Sequence, residues 1–160
     1  MLVYQRLPNR TVVKIIDCGQ ASAFDRLETM DKATQTWLEI AENDLEFAEQ
    51  ILQNKQRPYF ACNECHQAVE KILKAIIQEQ TGQKPPRIHN LDTLAKLAEL
   101  KLPDNYRGVL LRLNPHYMAT KYPHDLTKFY KEYTQEYAYE LFQETKELFL
   151  WLKNCLTQKK

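Results

Sequence analysis

Residues 58–82, PYFACNECHQAVEKILKAIIQEQTG, decide the fold. Cys62, Cys65, Val69, Ile72, Leu73, Ile76 and Ile77 recur at three- and four-residue spacing, the period of a helix with one apolar face. Pro58 suits a first helical turn, where its missing N–H is no loss. Gly82 marks the stop, and Pro85-Pro86 enforce a break. Upstream, Trp37, Ile40, Ala41, Ala48, Ile51 and Leu52 trace a second apolar face, which predicts a helix over 31–54. The joint between the two, at 53–57, is short, so the helices should pack antiparallel. Downstream, Asn90 reads as the N-cap of a shorter helix with Leu91, Leu94, Leu97 and Ala98 inward, ended by Pro103. Residues 104–114, with Tyr106, Val109, Leu110 and Leu113, predict another short helix. A two-proline loop follows, and a last long helix is expected over 126–156, with Phe129, Tyr133, Tyr137, Leu141, Leu148, Leu152 and Cys155 on its stripe.

The expected fold class is therefore all-α: an antiparallel helical bundle of four to five helices, three long and two short, over 31–158. Residues 1–30 differ. LVYQRL and TVVKIID are β-branched and aromatic runs separated by Pro8-Asn9-Arg10, which gives this N-terminal extension a β-hairpin character. Such a hairpin is marginal in water unless it docks on something.

Composition narrows the function classes. The chain has 160 residues, 44% hydrophobic and 27% charged, which suits a globular domain and excludes a disordered one. Only 3 glycines argue against a glycine-loop nucleotide fold. With 22 Lys+Arg against 21 Asp+Glu, the formal net charge is +1, so any nucleic-acid role must rest on a local patch. No stretch approaches the ~20 apolar residues of a membrane span, and the N-terminal segment lacks the apolar core of a signal peptide. A cytoplasmic protein with no membrane association is expected, with Cys18, Cys62, Cys65 and Cys155 as reduced thiols.

Three features invite chemistry. Cys62-Asn63-Glu64-Cys65-His66 has the C-x-x-C-H spacing of c-type haem attachment. Its helical context, the lack of a second cysteine pair and the lack of a βαβ setting argue instead for buried structural thiols, with no metal and no cofactor. His66 then falls one step off the apolar face and should be exposed. Asp44 lies on an apolar helix face, where an unpaired carboxylate is costly, so it should meet a cation as a structural charge pair. Lys121 is the first choice, with Lys71 and Lys74 as others. The loop 112–125 is the densest polar site: Arg112, Asn114, His116, Tyr117, Thr120, Lys121, Tyr122, His124 and Asp125. Cations beside aromatic rings can hold phosphate and stack a base, and imidazoles can move protons near neutral pH. The same residues also suit an ordinary connecting loop.

WLEIAENDLEFAEQIL, YFACNECHQAVEKILKAII with the following IHNLDTLAKL, and LNPHYMATKYPHD together resemble the HEPN family of small helical domains, over about residues 35–155. The resemblance implies a four- or five-helix antiparallel bundle, a homodimer, and a link to nucleotides or RNA. It further implies a minimal nucleotidyltransferase partner in a toxin–antitoxin type system, or else a metal-independent ribonuclease. The ribonucleases of the family use an Arg, a polar residue after it, and a His four to six residues further on. Here Arg112 and His116 enclose Leu113-Asn114-Pro115, a shorter spacing with an apolar residue after the Arg. The family's RYPD string is replaced by Lys121-Tyr122-Pro123-His124-Asp125, and lysine lacks the bidentate fork of arginine. These departures favour a binding and partner module, using Lys121, Tyr117, Tyr122, His124 and Asn114 for the ligand. A ribonuclease using Arg112 and His116 as catalytic residues is the alternative, and a ligand-free dimerising bundle is a third.

Overall fold

The computed structural model describes residues 3–6, 12–15, 30–55, 57–119, 127 and 131–157. Two strands, β1 (Val3–Arg6) and β2 (Val12–Ile15), pair antiparallel with Val3 opposite Ile15 and Arg6 opposite Val12. The remainder is helical: α1 (Lys32–Gln53), α2 (Pro58–Thr81), α3 (Leu91–Leu97), α4 (Asp104–Leu113), a single turn α5 (His116–Ala119) and α6 (Gln135–Thr157).

Local chemistry sets the boundaries. Asp31 caps α1, its carboxylate accepting from Ala33 N–H at 3.2 Å. Gly82 ends α2 in the left-handed region at φ 65°, where a residue with a Cβ would be strained, and its N–H closes onto Gln78 O. Asn90 caps α3 through Thr93 N–H at 2.9 Å, as the sequence predicts. Pro103 does not end α3, which stops at Leu97; it precedes the first residue of α4 instead.

The last helix begins later than its apolar stripe suggests. Lys131 and Glu132 are helical, but Tyr133 and Thr134 interrupt the run. Thr134 then caps α6, its Oγ1 accepting from Tyr137 N–H at 3.1 Å. Residues 128–130 lie outside the described residues, Phe129 and Tyr130 among them.

The hub is α2. It packs against α1, α3, α4, α5 and α6, so residues around much of its circumference are buried, not one stripe alone. Cys62, Cys65, Val69, Ile72, Leu73, Ile76 and Ile77 are all in the core, as expected. α1 is rotated slightly from the expected face: Thr34, Leu38, Ala41, Ala48 and Leu52 are buried, while Ile40 is exposed. The rotation follows from α1 sharing its inner side with both α2 and α6. In α3, Leu91, Leu94 and Ala95 face inward and Leu97 faces solvent.

Candidate functional site

The polar chemistry gathers where α3, α4 and α5 meet the middle of α2. His66, Glu70 and Lys74 occur at i, i+4 and i+8 on α2 and form one stripe on that helix. All three are buried. Glu70 Oε1 accepts from Lys74 Nζ at 2.7 Å, and Glu70 Oε2 lies 3.0 Å from His89 Nδ1. Burial opposes the Glu70 charge. The hydrogen bonds from Lys74 and His89 more than offset it, and the carboxyl is held below its ordinary range. Lys74 Nζ also stands 5.7 Å from the centre of the Trp37 ring.

His66 corrects an expectation. It is fully buried rather than exposed, because α3 and α5 cover the side of α2 that a two-helix reading leaves to solvent. Its Nε2 is 3.0 Å from the His89 carbonyl, which can only accept, so Nε2 carries the proton. Its Nδ1 has no hydrogen-bond partner among the described residues and lies 3.9 Å from Glu70 Oε2. Burial pushes the imidazole down to about 4, so it is neutral near pH 7.

His89 sits just before α3. Its carbonyl is held by His66 and its Nδ1 by Glu70. Its ring stacks on Tyr117 of α5 at 4.2 Å and 13°. Its side chain is nonetheless 46% exposed.

A second cluster surrounds His116. This ring is buried, with Nδ1 2.6 Å from the Tyr133 hydroxyl and Nε2 3.1 Å from the Tyr137 hydroxyl. Burial, with lesser contributions from His66 and the Arg112 charge, pushes its pKa down to about 4. Arg112 of α4 is tied to α6: Nη1 donates to Glu144 Oε1 at 2.7 Å, and Nη2 lies 3.6 Å from Glu140 Oε1. The guanidinium also stands over the Tyr137 ring at 5.9 Å.

The other sequence candidates fall as follows. Asn114 Oδ1 accepts from Leu91 N–H at 2.8 Å, joining the end of α4 to the start of α3. Asn114 itself is in the helical region despite the proline after it, and His116 starts a new turn of helix where a loop was expected. Tyr117 is in the stack with His89. Lys121, Tyr122 and His124 lie outside the described residues. Asp44 does meet a cation, Lys71, at 3.2 Å, one of the partners the sequence offers; Lys121 lies outside the described residues. The physical reason is adjacency: α1 and α2 are antiparallel neighbours, and the pair lies between them with side chains 21% and 20% exposed. The cysteines Cys62 and Cys65 are buried and free, and burial pushes the Cys62 thiol up to about 12 and Cys65 further still. Glu70, Lys74 and His89 were missed. The signal for Glu70 and Lys74 was the i, i+4, i+8 polar stripe with His66, on a helix that already had a complete apolar face.

The HEPN domain model matches residues 34–155. The chain belongs to the HEPN family. Two solved structures share its fold. One is TT1696 from Thermus thermophilus, at 20% identity and a TM-score of 0.64, covering 78% of this chain and 98% of that one. The other is ST0689, an archaeal HEPN homologue, at 22% identity and a TM-score of 0.63, covering 77% of this chain and 97% of that one. No curated protein matches the sequence. No helix among the described residues of this HEPN chain is long and apolar enough to cross a membrane.

Proposed function

We propose that this HEPN chain is a dimeric module that binds a nucleotide or single-stranded RNA through the surface beside His89 and Tyr117, and works with a nucleotidyltransferase partner. The observation that carries the reading is the half-exposed His89–Tyr117 stack next to a proline-stiffened basic segment. Lys84 and Arg87 of that segment are exposed and make no ion pair among the described residues. Aromatic surface can stack a base, and uncompensated cations can hold its phosphate. Lys121, Tyr122 and His124 extend the proposed ligand surface from the sequence alone.

Cleavage through Arg112 and His116 is less well supported. Both His116 nitrogens face tyrosine hydroxyls inside the bundle, and the Arg112 guanidinium is engaged by Glu144 and Glu140. Tyr133 and Tyr137 turn inward to His116, so they do not supply outer aromatic surface. The exposed Leu111, Tyr139 and Leu150 supply outer apolar surface instead, which supports the symmetric dimer.

The test is fluorescence anisotropy with a labelled single-stranded RNA, alongside AMP as competitor. The reading expects saturable binding that weakens with salt and is reduced in Tyr117→Ala and in Arg87→Ala. Binding unaffected by either change, or none at all, would contradict it.

A further inference from the structure

The fold decides the tautomer of His89, and the tautomer decides what its outer nitrogen can hold. Glu70 Oε2 lies 3.0 Å from His89 Nδ1, and Glu70 Oε1 accepts from the buried Lys74 ammonium at 2.7 Å. A carboxylate paired to an ammonium is an acceptor only, so the proton of a neutral His89 sits on Nδ1 and Nε2 carries a lone pair. Turning the ring over would give up the Glu70 bond. The Tyr117 ring, stacked at 4.2 Å, and the His66 hold on the His89 carbonyl at 3.0 Å keep the residue in place. Nε2 makes no hydrogen bond among the described residues, on a side chain that is 46% exposed. A phosphate oxygen is also an acceptor only. Against the lone pair of a neutral His89 it finds no donor. Against an imidazolium it finds a charge-assisted donor, about twice as strong as a neutral one. A histidine free to choose its tautomer would offer Nε2–H with no proton from solvent; one locked by a carboxylate does not.

We infer that His89 receives a ligand phosphate as an imidazolium, with Nδ1–H on Glu70 and Nε2–H on a phosphate oxygen, so that binding draws one proton from solvent. The inference rests on the binding reading above and makes that surface proton-linked. His89 Nε2 gains a proton from water or buffer, and no covalent bond of the ligand changes. The groups around His89 leave this proton to it. On α2, hydrogen bonds from Lys74 and His89 hold the Glu70 carboxyl below its ordinary range, and burial pushes His66 down to about 4. On α5, Tyr117 stacks on the ring, and burial pushes His116 down to about 4. On α3, Asp92 is committed to Lys96 at 2.6 Å. On α4, Arg112 is tied to Glu144. Lys84 and Arg87, in the segment before His89, add exposed cations for the same phosphate. Glu70 is a positioning residue: it fixes the tautomer and does not touch the ligand.

The experiment uses the whole chain and a labelled single-stranded RNA, whose diester phosphates do not titrate near neutral pH. Anisotropy is read at pH 6 and pH 8 at one ionic strength. Calorimetry in two buffers of different ionisation enthalpy counts the protons taken up. Wild type should bind about 3- to 10-fold more weakly at pH 8 than at pH 6, with net proton uptake on binding. His89→Gln cannot take the proton, so it should bind weakly at both pH values and take up none. Glu70→Gln is the more telling variant. Its amide can accept from Lys74 and donate to His89 Nδ1, which moves the ring proton to Nε2. It should lose the pH dependence and bind about two- to fivefold more tightly than wild type at pH 8, a gain that a merely structural Glu70 would not give. The wild-type proton count stands whether or not the variants fold. RNA bound by wild type without proton uptake, or with the same uptake in His89→Gln, overturns the linkage and leaves the binding reading standing. A folded Glu70→Gln with the wild-type pH profile overturns it as well. RNA that is not bound at all overturns both.

Discussion

The two histidine clusters of this bundle face opposite fates. His116 is surrounded: each ring nitrogen meets a tyrosine hydroxyl, at 2.6 and 3.1 Å, and the ring is out of water. Among the described residues His89 is held at one nitrogen only, and its side chain is 46% exposed. A reading by residue type ranks His116 first, because it follows an arginine and sits in the most polar loop. The geometry ranks His89 first, because chemistry needs an atom that the fold leaves unpaired. The lesson is about the partners: a histidine whose neighbours are phenols is a core residue, and one whose neighbours are a carboxylate and solvent can act on a ligand.

The sharpest way to break this comparison is to remove the carboxylate under the open cluster. Glu70→Ala strands the buried Lys74 ammonium and frees His89. Breaking a buried pair in this way costs about 3–5 kcal/mol, less as water reaches the lysine. Urea unfolding checks it; a loss within experimental error would mean that the stripe on α2 holds nothing.

The two buried imidazoles make a pH prediction. His116 and His66 have pKa values of about 4 in the fold. An unfolded histidine titrates near about 6.5. Between those values the unfolded chain binds more protons, so stability is full above the upper value and falls as pH drops toward the lower one. From pH 7 to pH 5 each imidazole should account for a loss of about 2 kcal/mol. In His116→Phe that loss should shrink by one such share. Denaturation curves at the two pH values measure it, and an unchanged pH dependence would show that His116 titrates normally in the fold.

Much of this was legible in the sequence and some was not, for physical reasons. The three long helices, the Asn90 cap and the Gly82 stop depend on local pattern and could be read directly. The start of α6 could not, because Tyr133 continues the apolar stripe while Thr134 resets the helix. The site was half legible. Tyr117 was found by its company in a polar loop. His66, Glu70 and Lys74 were hidden because a polar stripe on a helix has the same sequence pattern whether it meets water or other polar groups. What separates the two cases is the packing of α3 and α5 over α2, which depends on residues far along the chain.

Smaller effects sharpen the comparison further. Asn114 lies two residues before His116 and accepts from Leu91, two residues after His89, so it links the clusters. Asn114→Ala should cost about 1 kcal/mol for the lost hydrogen bond. It should also weaken RNA binding, if the two clusters are held in register; a change in stability without a change in binding would separate them. Asp44 and Lys71 serve as the reference pair outside both clusters. Its side chains keep about a fifth of their surface in water, so the pair should be worth about 1 kcal/mol, and Asp44→Ala should leave binding as it was and shift the unfolding midpoint modestly.

The central claim is that His89 offers an open nitrogen while His66 and His116 do not. Timed modification of the native protein with diethylpyrocarbonate, read residue by residue by mass spectrometry, tests it most directly. The account predicts rapid acylation of His89, with His66 and His116 reacting only once the chain is unfolded. Acylation of His116 as fast as His89 in the folded protein would contradict it.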